Sequence, residues 1–222
     1  MAPYRIRIFG DPVLKRRAEE VTEIDGRIAR LAEDMHITMK EAHGLGLAAP
    51  QVGVSRRLFV YEIGNSGPRT LVNPVITERD GEWEHEEGCL SVPELFFWVT
   101  RPQRVHVSGY DLDGREVSIE AEELEATLYQ HEVDHLDGHL ILELLDHDQR
   151  KQAMREVRQR AVIGGPGDRA GPRAPATRAP GTQSPGTQAP VSREPRTQAR
   201  ATQVRGPRGP AAGTGEGTAS QG

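Results

Sequence analysis

The chain has one cysteine, Cys89, among its 222 residues. No intramolecular disulfide can form, which points to a reducing compartment. No uncharged apolar run approaches the roughly 20 residues that a membrane-spanning helix needs. The opening stretch, Met1 to Arg7, lacks the apolar core of a signal peptide. These absences together predict a cytoplasmic protein with no membrane partner. From residue 161 onward leucine, lysine and every aromatic residue are missing, while nine of the sixteen prolines gather there. Thr-Gln units recur with a five-residue period, as in Gly181 to Pro185 and Gly186 to Pro190. Nothing in such a unit can form a shared core, so a solenoid is excluded and a disordered, polyproline-like tail is expected. Eight Arg against three acids give this tail +5 of the chain's −5, leaving −10 on residues 1–160. An acidic body argues against general nucleic-acid or direct DNA binding. The expected organisation is a domain over 1–160, long enough to bury a core, and a low-complexity Pro/Gly/Thr/Gln/Arg tail over 161–222.

Within the first 160 residues the local signals are legible. Asp25 reads as an N-cap, followed by apolar residues at Ile28, Leu31, Met35, Met39 and Ala42, with Gly44 as the C-cap. Residues 44–51 (GLGLAAPQ) are small and apolar with no period; they allow close approach of another backbone or a ligand. Strands are expected over 57–63 and 71–78, with Asn73-Pro74 marking the second as an edge or a bulge. A short strand over 82–86 follows, and Val92-Pro93 forces an extended exit. The run Leu95-Phe96-Phe97-Trp98 suggests an exposed aromatic patch. Residues 104–110 and 116–121 read as a hairpin. A helix over 122–136 stopped by Gly138, and a sparsely apolar surface helix over 146–161, complete the pattern. Antiparallel strands with helices set against them predict an α+β fold, with the sheets packed around a central helix.

That central helix carries His131-Glu132-Val133-Asp134-His135. Positions i and i+4 stack on one helical face, so two imidazoles can grip one divalent ion. Glu132 projects about 100° away from His131; it can reach a water on the metal and serve as general base. A catalytic site commonly has three protein ligands and one open position. The long HExxHxxGxxH pattern fails here, because Ile141 stands where its third histidine would be. Cys89, in Glu87-Gly88-Cys89-Leu90-Ser91, is the natural third ligand, although a lone cysteine is more often a small buried hydrophobe. Glu87 could hydrogen-bond within its motif, but a solvated acid is the reading preferred for it. Asp134 is expected to be structural. Three readings stay open on the residues alone: a hydrolase, a zinc peptidase, and a binding protein with a closed structural metal.

Three stretches together resemble the peptide deformylase family: residues 44–51 (GLGLAAPQ), 87–91 (EGCLS) and 130–135 (QHEVDH). The resemblance covers about residues 1–160. It implies removal of the formyl group from the N-terminal formylmethionine of newly synthesised polypeptides, with release of formate, near the ribosome. It implies Fe²⁺ held by Cys89, His131 and His135, although the ligand set suits Zn²⁺ as well and Ni²⁺ or Co²⁺ could substitute. It implies Glu132 as the base, and the Gln51 side chain with the Leu90 backbone N–H as oxyanion donors. Leu124, Leu128 and His131 share a helix face, so Leu45, Leu124 and Leu128 could either line a methionine pocket or pack as ordinary core. Gly46 would give substrate backbone room to add a strand. Many bacterial members carry a basic residue shortly after the cysteine motif; here the aromatic run replaces it, which leaves the charge of the mouth open.

Overall fold

The computed structural model describes residues 4–163, so the tail expected from 161 lies outside the described residues beyond Ile163. Among the described residues seven strands form two antiparallel sheets. β1 (Gly46–Ala48), β2 (Leu58–Tyr61), β3 (Arg69–Asp80), β6 (Arg104–Tyr110) and β7 (Glu116–Glu122) make a five-stranded sheet in the order β1-β2-β3-β6-β7. β4 (Trp83–Cys89) and β5 (Val92–Arg101) pair as a separate ribbon. α1 (Gly26–Glu41) and α2 (Glu123–Leu136) take opposite faces of the larger sheet, and α3 (His147–Ile163) follows. The expected α+β class is observed.

β2 shows why. Its sequence, Leu-Phe-Val-Tyr, is apolar at every position, and all four residues are buried. Side chains alternate across a strand. Leu58 and Val60 therefore pack with Met35 and Met39 of α1, while Phe59 and Tyr61 pack with Leu128, Tyr129 and Leu136 of α2. A strand covered on both faces reads as an uninterrupted apolar run.

Both main helices start or stop on local chemistry. The Asp25 carboxylate accepts the N–H groups of Arg27 and Ile28 at 2.9 and 3.1 Å, capping α1 as its sequence predicts. The C-terminus of α1 differs from expectation. His43, not Gly44, takes the left-handed conformation (φ 55°), and the Gly44 N–H returns to the Met39 carbonyl. Gly44 is needed for a different reason: a Cβ there would lie 2.8 Å from Leu90 Cδ1. α2 ends as predicted. Gly138 sits at φ 82°, with its N–H on the His135 carbonyl and the His139 N–H on that of Asp134, the paired bonds of a Schellman terminus.

Three further expectations change. The small apolar stretch after Gly44 is not irregular: it forms β1 and a 3₁₀ turn over Ala49–Val52. Ala48 and Ala49 are fully buried and offer nothing to a ligand. Asn73-Pro74 marks a bulge in β3, where the register with β6 shifts between Val72 and Val75, but β3 lies inside the sheet and not at its edge. The bulge is held by the Asn73 side chain, which bonds the N–H and the carbonyl of Val21 at 2.9 Å each. The extended exit at Val92-Pro93 continues as the ten-residue β5. Of its aromatics, Phe96 and Phe97 are half-buried and only Trp98, at 57%, is exposed. β5 reads poorly because its apolar residues run together without alternation. α3 lies on the surface as expected, with Ala153 buried against the cluster that contains Cys89, Val92 and Leu95.

Candidate metal centre and active site

Cys89 and the two histidines arrive from different elements. Cys89 ends β4, where the pairing with β5 slips by a bulge and the chain turns through Leu90-Ser91. His131 and His135 stand one turn apart on α2, their rings edge-on at 4.9 Å. The Cys89 Sγ lies 3.3 Å from His135 Nε2, and one ligand atom from each of the three residues falls within 4.8 Å of the others. Sulfur and nitrogen ligands of one tetrahedral ion stand about 3.5 Å apart, given metal–ligand bonds of about 2.3 and 2.0–2.1 Å. The three residues therefore fit a single divalent ion, and no other group of this kind occurs among the described residues.

The electrostatics sort the two imidazoles. Burial, with the neighbouring His131 and Arg101, pushes His135 well below its ordinary range, so it is neutral and ready to ligate. Burial works against charge on His131 too, but hydrogen bonds to Cys89 and Glu87 more than offset it and raise its pKa. A cation bound here takes the place of that proton.

Glu87 is not a solvated acid, contrary to the sequence reading. It is buried, and its Oε2 lies 3.1 Å from His131 Nδ1. That contact occupies Nδ1 and leaves Nε2 as the ring nitrogen free to ligate. Arg101, at the end of β5, donates to both Glu87 oxygens at 2.5 and 3.1 Å and to Asp134 Oδ2 at 2.9 Å. Burial raises the Glu87 pKa, yet the bonds from His131 and Arg101 bring it below its usual value. Asp134 thus has the structural part expected of it. Arg101 was missed in the sequence, since nothing local links it to a motif 14 residues earlier. Arg101→Met leaves Glu87 buried beside one partner instead of two. Unfolding in urea should show a loss of about 3–5 kcal/mol, the cost of breaking a buried pair from one side. An unchanged urea midpoint would mean that the pair is not the anchor described.

Glu132 is buried at 4% exposure, and its Oε2 has no protein partner among the described residues. Burial pushes its carboxyl up to about 7, with Asp134 adding to the shift and His131 and Arg101 opposing it. Gly46 makes room for it: a Cβ on Gly46 would stand 2.9 Å from Glu132 Cδ. The glycine in the first motif therefore admits the carboxylate. Gln51, also buried, accepts the Ala48 N–H at 2.8 Å through Oε1 and donates to Ser91 Oγ at 3.2 Å through Nε2. It thereby ties the first motif to the turn of the second.

These groups open onto a cavity of about 170 Å³. Leu45, Gly46, Gln51, Cys89, Leu90, Leu124, Leu128, His131 and Glu132 all line it. His135 lies behind this lining at 1% exposure. Leu45 and Leu124 are 47% and 39% exposed, so core packing is not what holds them there, whereas Leu128 serves both the core and the cavity. The edges of β1 and β4 both border this space.

A helical histidine pair, a cysteine from a second segment and an unpaired buried carboxylate place the protein among the metal-dependent hydrolases. The model of the polypeptide deformylase family matches residues 3–151. The peptide deformylase of Acidothermus cellulolyticus is 45% identical over 164 residues, covering 74% of this chain and 91% of its own length. That of Natranaerobius thermophilus is 50% identical over 139 residues, or 62% and 89%. The crystal structure of peptide deformylase from Thermus thermophilus superposes with a TM-score of 0.68 at 46% identity, covering 72% of this chain and 96% of that one. The chain belongs to the polypeptide deformylase family, hydrolases that remove the formyl group from the N-terminus of newly synthesised polypeptides. The peptidase and structural-metal readings fall away with that membership.

Proposed function

We propose that Cys89, His131 and His135 hold Fe²⁺, and that this chain uses it to deformylate the terminal methionine of nascent polypeptides in the cytoplasm, close to the ribosome. The observation that carries the ligand assignment is the 3.3 Å approach of Cys89 Sγ to His135 Nε2. When bound, the metal would supply an activated water by lowering its pKa towards neutrality. The protein's own residues do the rest. Glu132 is placed to take up a proton at its unpartnered Oε2 and to hand it to the departing amine, a task suited to a carboxyl raised towards neutrality. The free Nε2 proton of Gln51 and the Leu90 N–H are the donors for the oxyanion. Glu87 and Arg101 keep the His131 ring in place. Leu45, Leu124 and Leu128 receive the methionine side chain. The substrate backbone lies along the free edge of β1, where Gly46 leaves space. Among the described residues no helix is long and apolar enough to cross a membrane. Residues 161–222 are read as a low-complexity segment.

The test is anaerobic turnover of formyl-Met-Ala-Ser with metal analysis in parallel. Formate release should track iron content, fall on exposure to air, and return on reloading with nickel or cobalt. Cleavage of an internal bond without formate, or equal air stability of the iron and nickel forms, would contradict the proposal.

A further inference from the structure

Residues 4–21 form neither strand nor α-helix; their one regular element is the 3₁₀ turn Pro12–Lys15. Yet this stretch touches all three segments that build the site. The Phe9 N–H donates to the Ser91 carbonyl at 2.7 Å, just past Cys89. The Arg7 N–H donates to the Gln51 carbonyl, also at 2.7 Å. The Ala18 N–H donates to the Leu136 carbonyl at 2.8 Å, next to His135. Packing holds the stretch down between these points. The Phe9 ring lies against the cluster that contains Cys89, and Leu14 is buried. Gly138 lets the chain pass the end of α2: a Cβ there would stand 2.9 Å from the Lys15 carbonyl carbon.

Arg7 and Phe9 act on the two segments that carry the proposed oxyanion donors. Phe9 holds the turn that presents the Leu90 N–H, and Arg7 holds the turn that presents the Gln51 side chain. Neither Arg7 nor Phe9 lines the cavity. The two turns also meet directly, through the bond from Gln51 Nε2 to Ser91 Oγ at 3.2 Å. Ordering an irregular segment costs conformational entropy at every residue. A group misplaced by about 1 Å can cost about 10²-fold in rate. Short backbone bonds to both turns meet that demand.

We infer that residues 7–18 are a strap whose Arg7 and Phe9 N–H groups fix the spacing of the two oxyanion donors, which makes both of them positioning residues for the reaction. This rests on the deformylase reading above. The N–H between them, on Ile8, bonds nothing among the described residues and supplies the control.

The test replaces single amides by esters in the full-length, metal-loaded chain, by translation with the α-hydroxy acid of the same side chain. An ester lacks the N–H and keeps the side chain. With the ester at Phe9, kcat for formyl-Met-Ala-Ser should fall about 3- to 10-fold, the scale of one backbone hydrogen bond. KM and metal content should hold, because an oxyanion donor acts in the transition state rather than on bound substrate. The ester at Ile8 should leave kcat within about twofold, since no bond is lost. The ester at Leu90 removes the donor itself and should cost about 10²–10³-fold. Added to that background, the ester at Phe9 should cost nothing further, because the group it positions is gone. In Arg7→Leu, exchanging that residue's amide for an ester should likewise lower kcat, and should have no effect once Gln51→Ala has been made. A Phe9 ester as active as the Ile8 ester overturns the inference, as does an equal loss with and without the Leu90 amide. Loss of metal or of the urea transition in the Phe9 ester also overturns it, because the bond would then serve folding alone. No formate from the parent overturns the deformylase reading and this inference with it.

Discussion

Cys89→Ala should yield a folded protein that no longer retains its metal and has no turnover above background. Two histidines alone are a poor site, and the thiolate contributes the negative charge that balances the ion. The purified parent should hold about one metal ion per chain and the variant close to none. Folding should survive, because Cys89 is one member of a cluster that includes Val92, Leu95, Val99 and Ile141. Removing one sulfur from that cluster is a small packing loss. Metal analysis and urea unfolding on the same sample separate the two effects. A variant that kept both its metal and its activity would remove Cys89 from the site.

Glu132→Gln should do the opposite. Metal content stays at the parent level, while kcat drops by about 10²–10⁴-fold, the usual contribution of a positioned acid–base group. The amide has the shape of the carboxylate and fits beneath Gly46, but it cannot take up a proton. Stability should not fall. The carboxylate is buried, its Oε2 is unpartnered, and desolvation already disfavours its charged form. Substituting a neutral group removes that penalty. Steady-state kinetics on nickel-loaded protein, with metal analysis, decides the matter. Loss of metal together with activity would make Glu132 a ligand rather than a base.

The legible parts of this protein are those in which the relevant physics spans a few residues. The i, i+4 histidine pair, the Asp25 cap and the Gly138 stop depend on helix geometry, which neighbouring residues set among themselves. The ends of β6 and the start of β7 were readable from strict alternation and the turn between them. Where neighbours in space are far apart in sequence, local signals fail. β5 shows no clean alternation because its bulge and its partly covered faces are imposed by β4 and α3. Glu87 looks like any exposed acid until β5 returns Arg101 to it. Residues 44–51 look like a binding loop, yet only some of them reach the cavity, while Ala48 and Ala49 fill the core beneath.

By itself the sequence determined the fold class, the helix that bears the histidine pair, and the short list of residues able to do metal chemistry, because residue type and helical period are local properties. Only the tertiary structure decided that the sulfur of β4 lies beside the imidazoles of α2, which carboxylate is pinned by Arg101, and which is left free beneath Gly46. Those choices depend on strand register and on how α2 crosses the sheet. Both are set by the burial of apolar side chains drawn from the whole domain, and no short stretch contains them.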